Sequence, residues 1–184
     1  MFWIPTVTRR RSIFGVWTAL AVFVSAALLS ACNPFAPGLD LSVGGSSSLL
    51  GDQTTIDGVF QNVRYAYTFR DTTIYGQTVG GDFLFTFRDY ERGVDVTWGR
   101  DEEMRVTSAL FQNAQRLDLV WNNLLSLSVD SSNTLANVSR NFTLTVTFNP
   151  GDIVRADGYS TLTLTRSAVT EAWMIQRWRD DSQF

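Results

Sequence analysis

The stretch TTIDGVFQNVRYAYTFRDTTIYGQTVGGDFLFTFRD, Thr54 to Asp89, changes its apolar period once, and that change decides the fold. Ile56, Phe60, Val63 and Tyr67 recur at spacings of four, three and four, which places them on one face of a helix. Thr54 or Thr55 stands before them as the N-cap. Arg70-Asp71 closes this helix, a short second helical piece runs from Thr72 to Val79, and Gly80-Gly81 stops the pattern. Phe83, Phe85 and Phe87 then alternate with Leu84, Thr86 and Arg88, the period of two of a strand.

Downstream, Val94 to Trp98 reads as a partner strand after a tight turn near Gly93. Asp101 is expected to cap another helix, about Glu102 to Leu117, with Val106, Leu110, Ala114 and Leu117 as its buried stripe. The rest reads as strand. Leu119, Trp121, Leu125, Leu127 and Val129 share a face interrupted by Asn123; Phe142, Leu144, Val146 and Phe148 alternate with threonines; Tyr159–Arg166 and Trp173–Arg179 follow. Turn signals at Ser131-Ser132-Asn133 and Asn149-Pro150-Gly151-Asp152 join neighbours closely enough for antiparallel pairing.

Composition narrows the chemistry. The chain has 184 residues, no histidine and one cysteine, and all 15 of its basic side chains are arginine. Imidazole catalysis, histidine metal ligation and lysine Schiff bases are therefore excluded. An internal disulfide and a thiolate cluster are excluded as well. No metal and no cofactor is expected.

Upstream of the decisive stretch, Arg9-Arg10-Arg11 precedes an apolar run from Ile13 to Leu29 and small residues before Cys32. That is the three-part form of a secretory signal. An uncleaved membrane-spanning helix and an ordinary signal cut nearby are the alternatives. Leu29-Ser30-Ala31-Cys32 resembles the lipobox of bacterial lipoproteins, which implies cleavage before Cys32 and acylation of its thiol. Residues 1–31 are thus expected to be the signal, 32–53 a tether and 54–184 the domain. Asn33 rather than aspartate after the cysteine implies, by resemblance to the sorting pattern of some Gram-negative bacteria, the outer membrane of the cell envelope. Cleavage removes three arginines and no acid, which takes the formal charge from −3 to −6. Such a domain has no counterion-release drive towards nucleic acid, so membrane attachment is expected through the acyl chains. The tether is rich in Pro, Gly and Ser; about 20 residues of this kind span roughly 25 Å on average and reach about 70 Å at full extension.

Helix, short helix, two strands, helix and four strands is an order that resembles the nuclear transport factor 2-like, or SnoaL-like, superfamily. The local text is similar too: Ala66, Tyr67, Arg70 and Asp71 closing the first helix, Asp82, Phe83 and Phe85 opening the first strand, and Trp173, Ile175 and Trp178 in the last. The resemblance implies an α+β cone, a strongly curved antiparallel sheet wrapped around two or three helices, often with a pocket at its wide end. An all-β lipocalin-like barrel is the other architecture weighed, and the helical patterns oppose it.

The superfamily's known catalytic sets do not carry over. The ketosteroid-isomerase-like position for a proton-abstracting carboxylate falls on Phe87, the corresponding tyrosine position falls on Val63, and the dehydratase-like His–Asp pair has no histidine here. Strand and helix parity instead nominates Tyr67, Asp89, Asn123 and Arg177 as polar groups pointing into the cone. The plainer reading keeps Asp89 and Arg177 at strand ends, Tyr67 in the core with its hydroxyl at the rim, and Asn123 at a bulge. Asp101, Glu102 and Glu103 read as acids favoured by a helix N-terminus, Asp180-Asp181 as a solvated tail, and the tryptophans and phenylalanines as core filling.

Function is expected to be that of an envelope-anchored, non-catalytic module for a small apolar ligand or a protein partner. The alternative is an isomerase- or dehydratase-like enzyme using Asp89 as base. Dimerisation across the sheet is common in the superfamily, so a homodimer enters as an expectation.

Overall fold

The computed structural model describes residues 49–183; Cys32, the signal segment and the tether up to residue 48 lie outside them. Helix α1 (Ile56–Phe69) is capped by Thr55, whose side chain accepts from the Gly58 amide. It ends where Arg70 turns left-handed at φ 56°. Asp71 then caps α2 (Thr72–Thr78) by accepting from the amides of Thr73 and Ile74. Strands β1 (Val79–Asp89) and β2 (Val94–Gly99) form a hairpin, α3 (Arg100–Asn113) follows, and β3 (Arg116–Val129), β4 (Leu135–Asn149), β5 (Asp152–Thr165) and β6 (Met174–Gln183) complete the order.

The six strands form one sheet in the order β2-β1-β6-β5-β4-β3. Every junction is antiparallel except β1–β6, which is parallel. The sheet is therefore mixed: the last strand inserts between the first hairpin and the three-stranded meander. Its inner face packs on α1 and α2, with Val59, Val63, Tyr75, Phe83, Leu162 and Trp173 fully or nearly fully buried.

Five local expectations differ from the structure. Gly80 and Gly81 belong to β1, where they lie in an irregular stretch between the Val79–Ile175 and Leu84–Arg177 pairs. Helix α3 starts two residues earlier, at Arg100, with Gly99 as an N-cap that makes no side-chain hydrogen bond, and it stops at Asn113. Its buried residues are Glu103, Thr107 and Phe111 rather than the Val106 stripe, and Val106 is 42% exposed. The rotation brings the Glu103 carboxylate to donors on three elements: Tyr75, distant in sequence, Trp98 of the preceding strand, and Thr107 of α3 itself.

In β3, register shifts flank Leu124, so the Leu119–Trp121 face does not continue. Leu125, Leu127 and Val129 consequently remain largely exposed. Finally, the end of the segment read as tether is held to the domain. The Gly51 amide donates to Asn62 Oδ1 at 2.7 Å, and the Trp173 amide donates to the Gln53 carbonyl at 2.8 Å. Gly58 permits this close approach, because a Cβ there would sit 1.8 Å from the Asp52 carbonyl oxygen.

Candidate functional site

The helices and the curved sheet border a partly open cavity of about 280 Å3. Tyr67 of α1, Phe85 and Phe87 of β1, Trp98 of β2, Phe142 of β4 and Trp178 of β6 supply an aromatic lining. Leu110, Leu119 and Leu144 add aliphatic surface, and Glu103, Thr107, Asp180 and Ser182 add polar groups. Phe85 stacks on Trp98 with ring centroids 4.8 Å apart, while Trp178 lies 6.1 Å from Phe85 and 6.0 Å from Trp121. This interlocked wall sets the shape of the cavity, since aromatic rings held by several neighbours have few alternative rotamers.

Glu103 sits 4% exposed and accepts three hydrogen bonds. Tyr75 Oη donates to Oε1 at 2.5 Å, Thr107 Oγ1 donates to Oε1 at 3.0 Å, and Trp98 Nε1 donates to Oε2 at 2.7 Å. All three donors are neutral, and among the described residues Glu103 forms no salt bridge. Burial is the main influence that pushes the Tyr75 phenol up, with the neighbouring Tyr67 and Glu103 adding to it.

Asp180 is the second acid of the cavity. Its Oδ1 accepts from the Ser182 amide at 2.8 Å. Desolvation holds its carboxyl above the ordinary carboxylate range against the Ser182 side chain and amide, and the charges of Asp181 and Glu103 push the same way as desolvation. Tyr67 packs edge-on against Phe111 at 5.2 Å and Tyr75 at 5.9 Å. Desolvation first, then the charges of Glu103 and Asp180, raise its phenol, so it remains a hydrogen-bond donor. Trp178 is 6% exposed, and its Nε1–H has no partner among the described residues.

Of the four residues nominated by parity, Tyr67 lines this cavity and the other three do not. Asp89 ends β1 opposite Val94 and accepts from the Arg92 amide at 2.9 Å, so it closes the hairpin turn. Asn123 is exposed within the β3 irregularity between Trp121 and Leu124. Arg177 is exposed on the other side of β6, near Asp82 and Arg100.

The reason for Arg177 is one residue of register. Leu164 pairs with Ile175 and Thr163 with Arg177, so Gln176 is an extra residue in β6. The bulge reverses which side chains face inward beyond it. Ile175 faces the core before the bulge; Trp178, Asp180 and Ser182 face the cavity after it. A signal was present in the text: Trp173, Ile175 and Trp178 are spaced two and then three, which an uninterrupted strand cannot keep on one face. The spacing of four through Glu103, Thr107 and Phe111 was the corresponding sign for the inner face of α3.

No protein-family model and no curated protein sequence matches the chain. Solved structures do. A conserved protein from Planctomyces limnophilus aligns with a TM-score of 0.60 at 14% identity, over 70% of this chain and 93% of its own. A putative scytalone dehydratase from Novosphingobium aromaticivorans aligns with a TM-score of 0.58 at 13% identity, over 70% of this chain and 82% of its own. A hexachlorocyclohexane dehydrochlorinase, LinA type 2, aligns with a TM-score of 0.52 at 12% identity, over 68% and 81%. With three helices, a curved six-stranded sheet and these neighbours, the chain has the cone-shaped α+β fold of the nuclear transport factor 2-like, or SnoaL-like, proteins.

Proposed function

We propose that this chain is a lipid-anchored protein of the bacterial cell envelope whose cone-shaped domain binds a small apolar or amphipathic molecule. The observation that carries the ligand reading is the cavity itself: its interior is walled by aromatic rings yet left unfilled, and a few polar groups converge on it. A module serving only as a scaffold has no need of such a space. The anchor rests on Leu29-Ser30-Ala31-Cys32 behind a basic and apolar segment.

Native mass spectrometry of the full chain extracted in detergent tests both parts. The expected spectrum contains a mature chain beginning at an acylated Cys32 and a population carrying one retained small molecule. A chain still beginning at Met1, or an unmodified Cys32, removes the anchor. Failure to retain or bind any apolar probe removes the ligand reading.

A second reading is proton-transfer catalysis, favoured by the raised Asp180 carboxyl facing the same cavity as the Tyr67 phenol. In it Asp180 takes the role of base that sequence parity gave to Asp89, and Tyr67 donates to an oxygen on which negative charge develops. Its mark is turnover that Asp180→Asn abolishes while binding persists. A bound molecule recovered chemically unchanged after incubation leaves binding as the function.

A further inference from the structure

The balance of charge around the cavity is one-sided. Glu103 and Asp180 both border it, and neither forms a salt bridge among the described residues. The Glu103 carboxylate is satisfied only by the neutral donors Tyr75, Thr107 and Trp98. The one cation among the lining residues, Arg88, is engaged by Asp95 at 3.1 Å. A buried acid with no cationic partner is costly, and the cost falls when a positive charge enters beside it. The walls suit such a charge as well. The faces of aromatic rings carry the negative side of the ring quadrupole, and Phe85 is held 4.8 Å from Trp98 and 6.1 Å from Trp178 in this wall.

We propose that the ligand of this cavity carries a cationic amine, tertiary or quaternary, seated among the aromatic walls beside Asp180 and Glu103. The proposal rests on the reading that the cavity binds a ligand, and adds the chemical class. Asp180 is the more responsive of the two acids, because its partner among the described residues is Ser182 alone, whereas Glu103 is held by Tyr75, Thr107 and Trp98 through both its oxygens. Its raised carboxyl has the same origin, a desolvated acid without a cation to balance it.

The test compares two probes of one shape, benzyltrimethylammonium and its uncharged carbon isostere neopentylbenzene. Each is titrated into the full chain in detergent, with tryptophan fluorescence as the readout. The expected result is at least about tenfold tighter binding of the cation, a size consistent with a desolvated cation–π contact. In Asp180→Asn the preference for the cation falls by about tenfold or more, while the neutral isostere binds as before. Equal affinities, or a preference for the isostere, overturn the amine and leave the apolar-ligand reading standing. Binding of neither probe overturns both. The comparison within the unmodified chain does not depend on the variant folding.

Discussion

Tyr75 of α2 donates its phenolic hydrogen to Glu103 of α3 at 2.5 Å, inside the cone where neither side chain is more than 4% exposed. This contact, with Trp98 and Thr107 on the same carboxylate, joins two helices and a strand through one charged group. It also decides which face of α3 turns inward. An apolar stripe through Val106 competes with a face through Glu103, and the latter prevails because three donors satisfy the acid.

Removing that acid should therefore cost more than its size implies. Glu103→Ala leaves three buried donors without an acceptor, and we expect a loss of about 2–4 kcal/mol in unfolding free energy. Glu103→Gln, which keeps an acceptor oxygen, should lose less. Urea denaturation followed by tryptophan fluorescence ranks the two; equal losses contradict the assignment of the network.

Asp180 predicts a pH dependence of defined sign. Its carboxyl is held above the ordinary range, so the folded chain binds more protons than the unfolded chain in the window just above that range. Stability contributed by this site is therefore highest below the window and falls as pH rises through it. Asp180→Asn should remove this slope and raise the unfolding midpoint at neutral pH. Midpoints measured from acid to neutral pH in both chains check it; a variant with the same slope as the parent argues against the prediction.

Asp130 works in the opposite direction. The Ser132 hydroxyl and the amides of Leu135 and Thr134 hold its carboxyl down at about 2, at the turn joining β3 to β4. Its stabilisation is present above the ordinary carboxylate range and is lost as pH falls through about 2. Asp130→Ala should accelerate hydrogen exchange of the Thr134 and Leu135 amides at neutral pH, with little change at the cavity.

Gly158 allows β5 to lie close against β6. A Cβ at this position would sit 2.4 Å from Ser182 Cα, a backbone atom that cannot swing away. Gly158→Val should displace the end of β6 and with it Asp180 and Ser182. We expect a lower melting temperature and weaker probe binding, measured together. A variant with unchanged binding would separate this approach from the cavity.

How far the fold was legible depended on whether a signal was local. The Thr55 cap, the turn of direction at Arg70-Asp71 and the alternating Phe83, Phe85 and Phe87 are all contained within a few residues, and each appears in the structure at or near its expected place. The cavity was less legible. The helix period points to Tyr67, but Asp180 reads as part of a solvated tail and Glu103 as an acid favoured by a helix end.

What the sequence by itself determined was the order and type of the elements and, through it, the cone. Periods of 3.6 and two are properties of a single segment and need no partner to be read. What only the tertiary structure decided was which polar groups enter the cone. The extra residue Gln176 reverses the parity of β6 through its pairing with β5, carrying Asp180 inward and Arg177 outward. Glu103 turns inward where Tyr75, on another helix and remote in sequence, and Trp98, on the preceding strand, supply its hydrogen bonds. Register between strands and satisfaction of a buried charge are settled between segments, so no single segment records them.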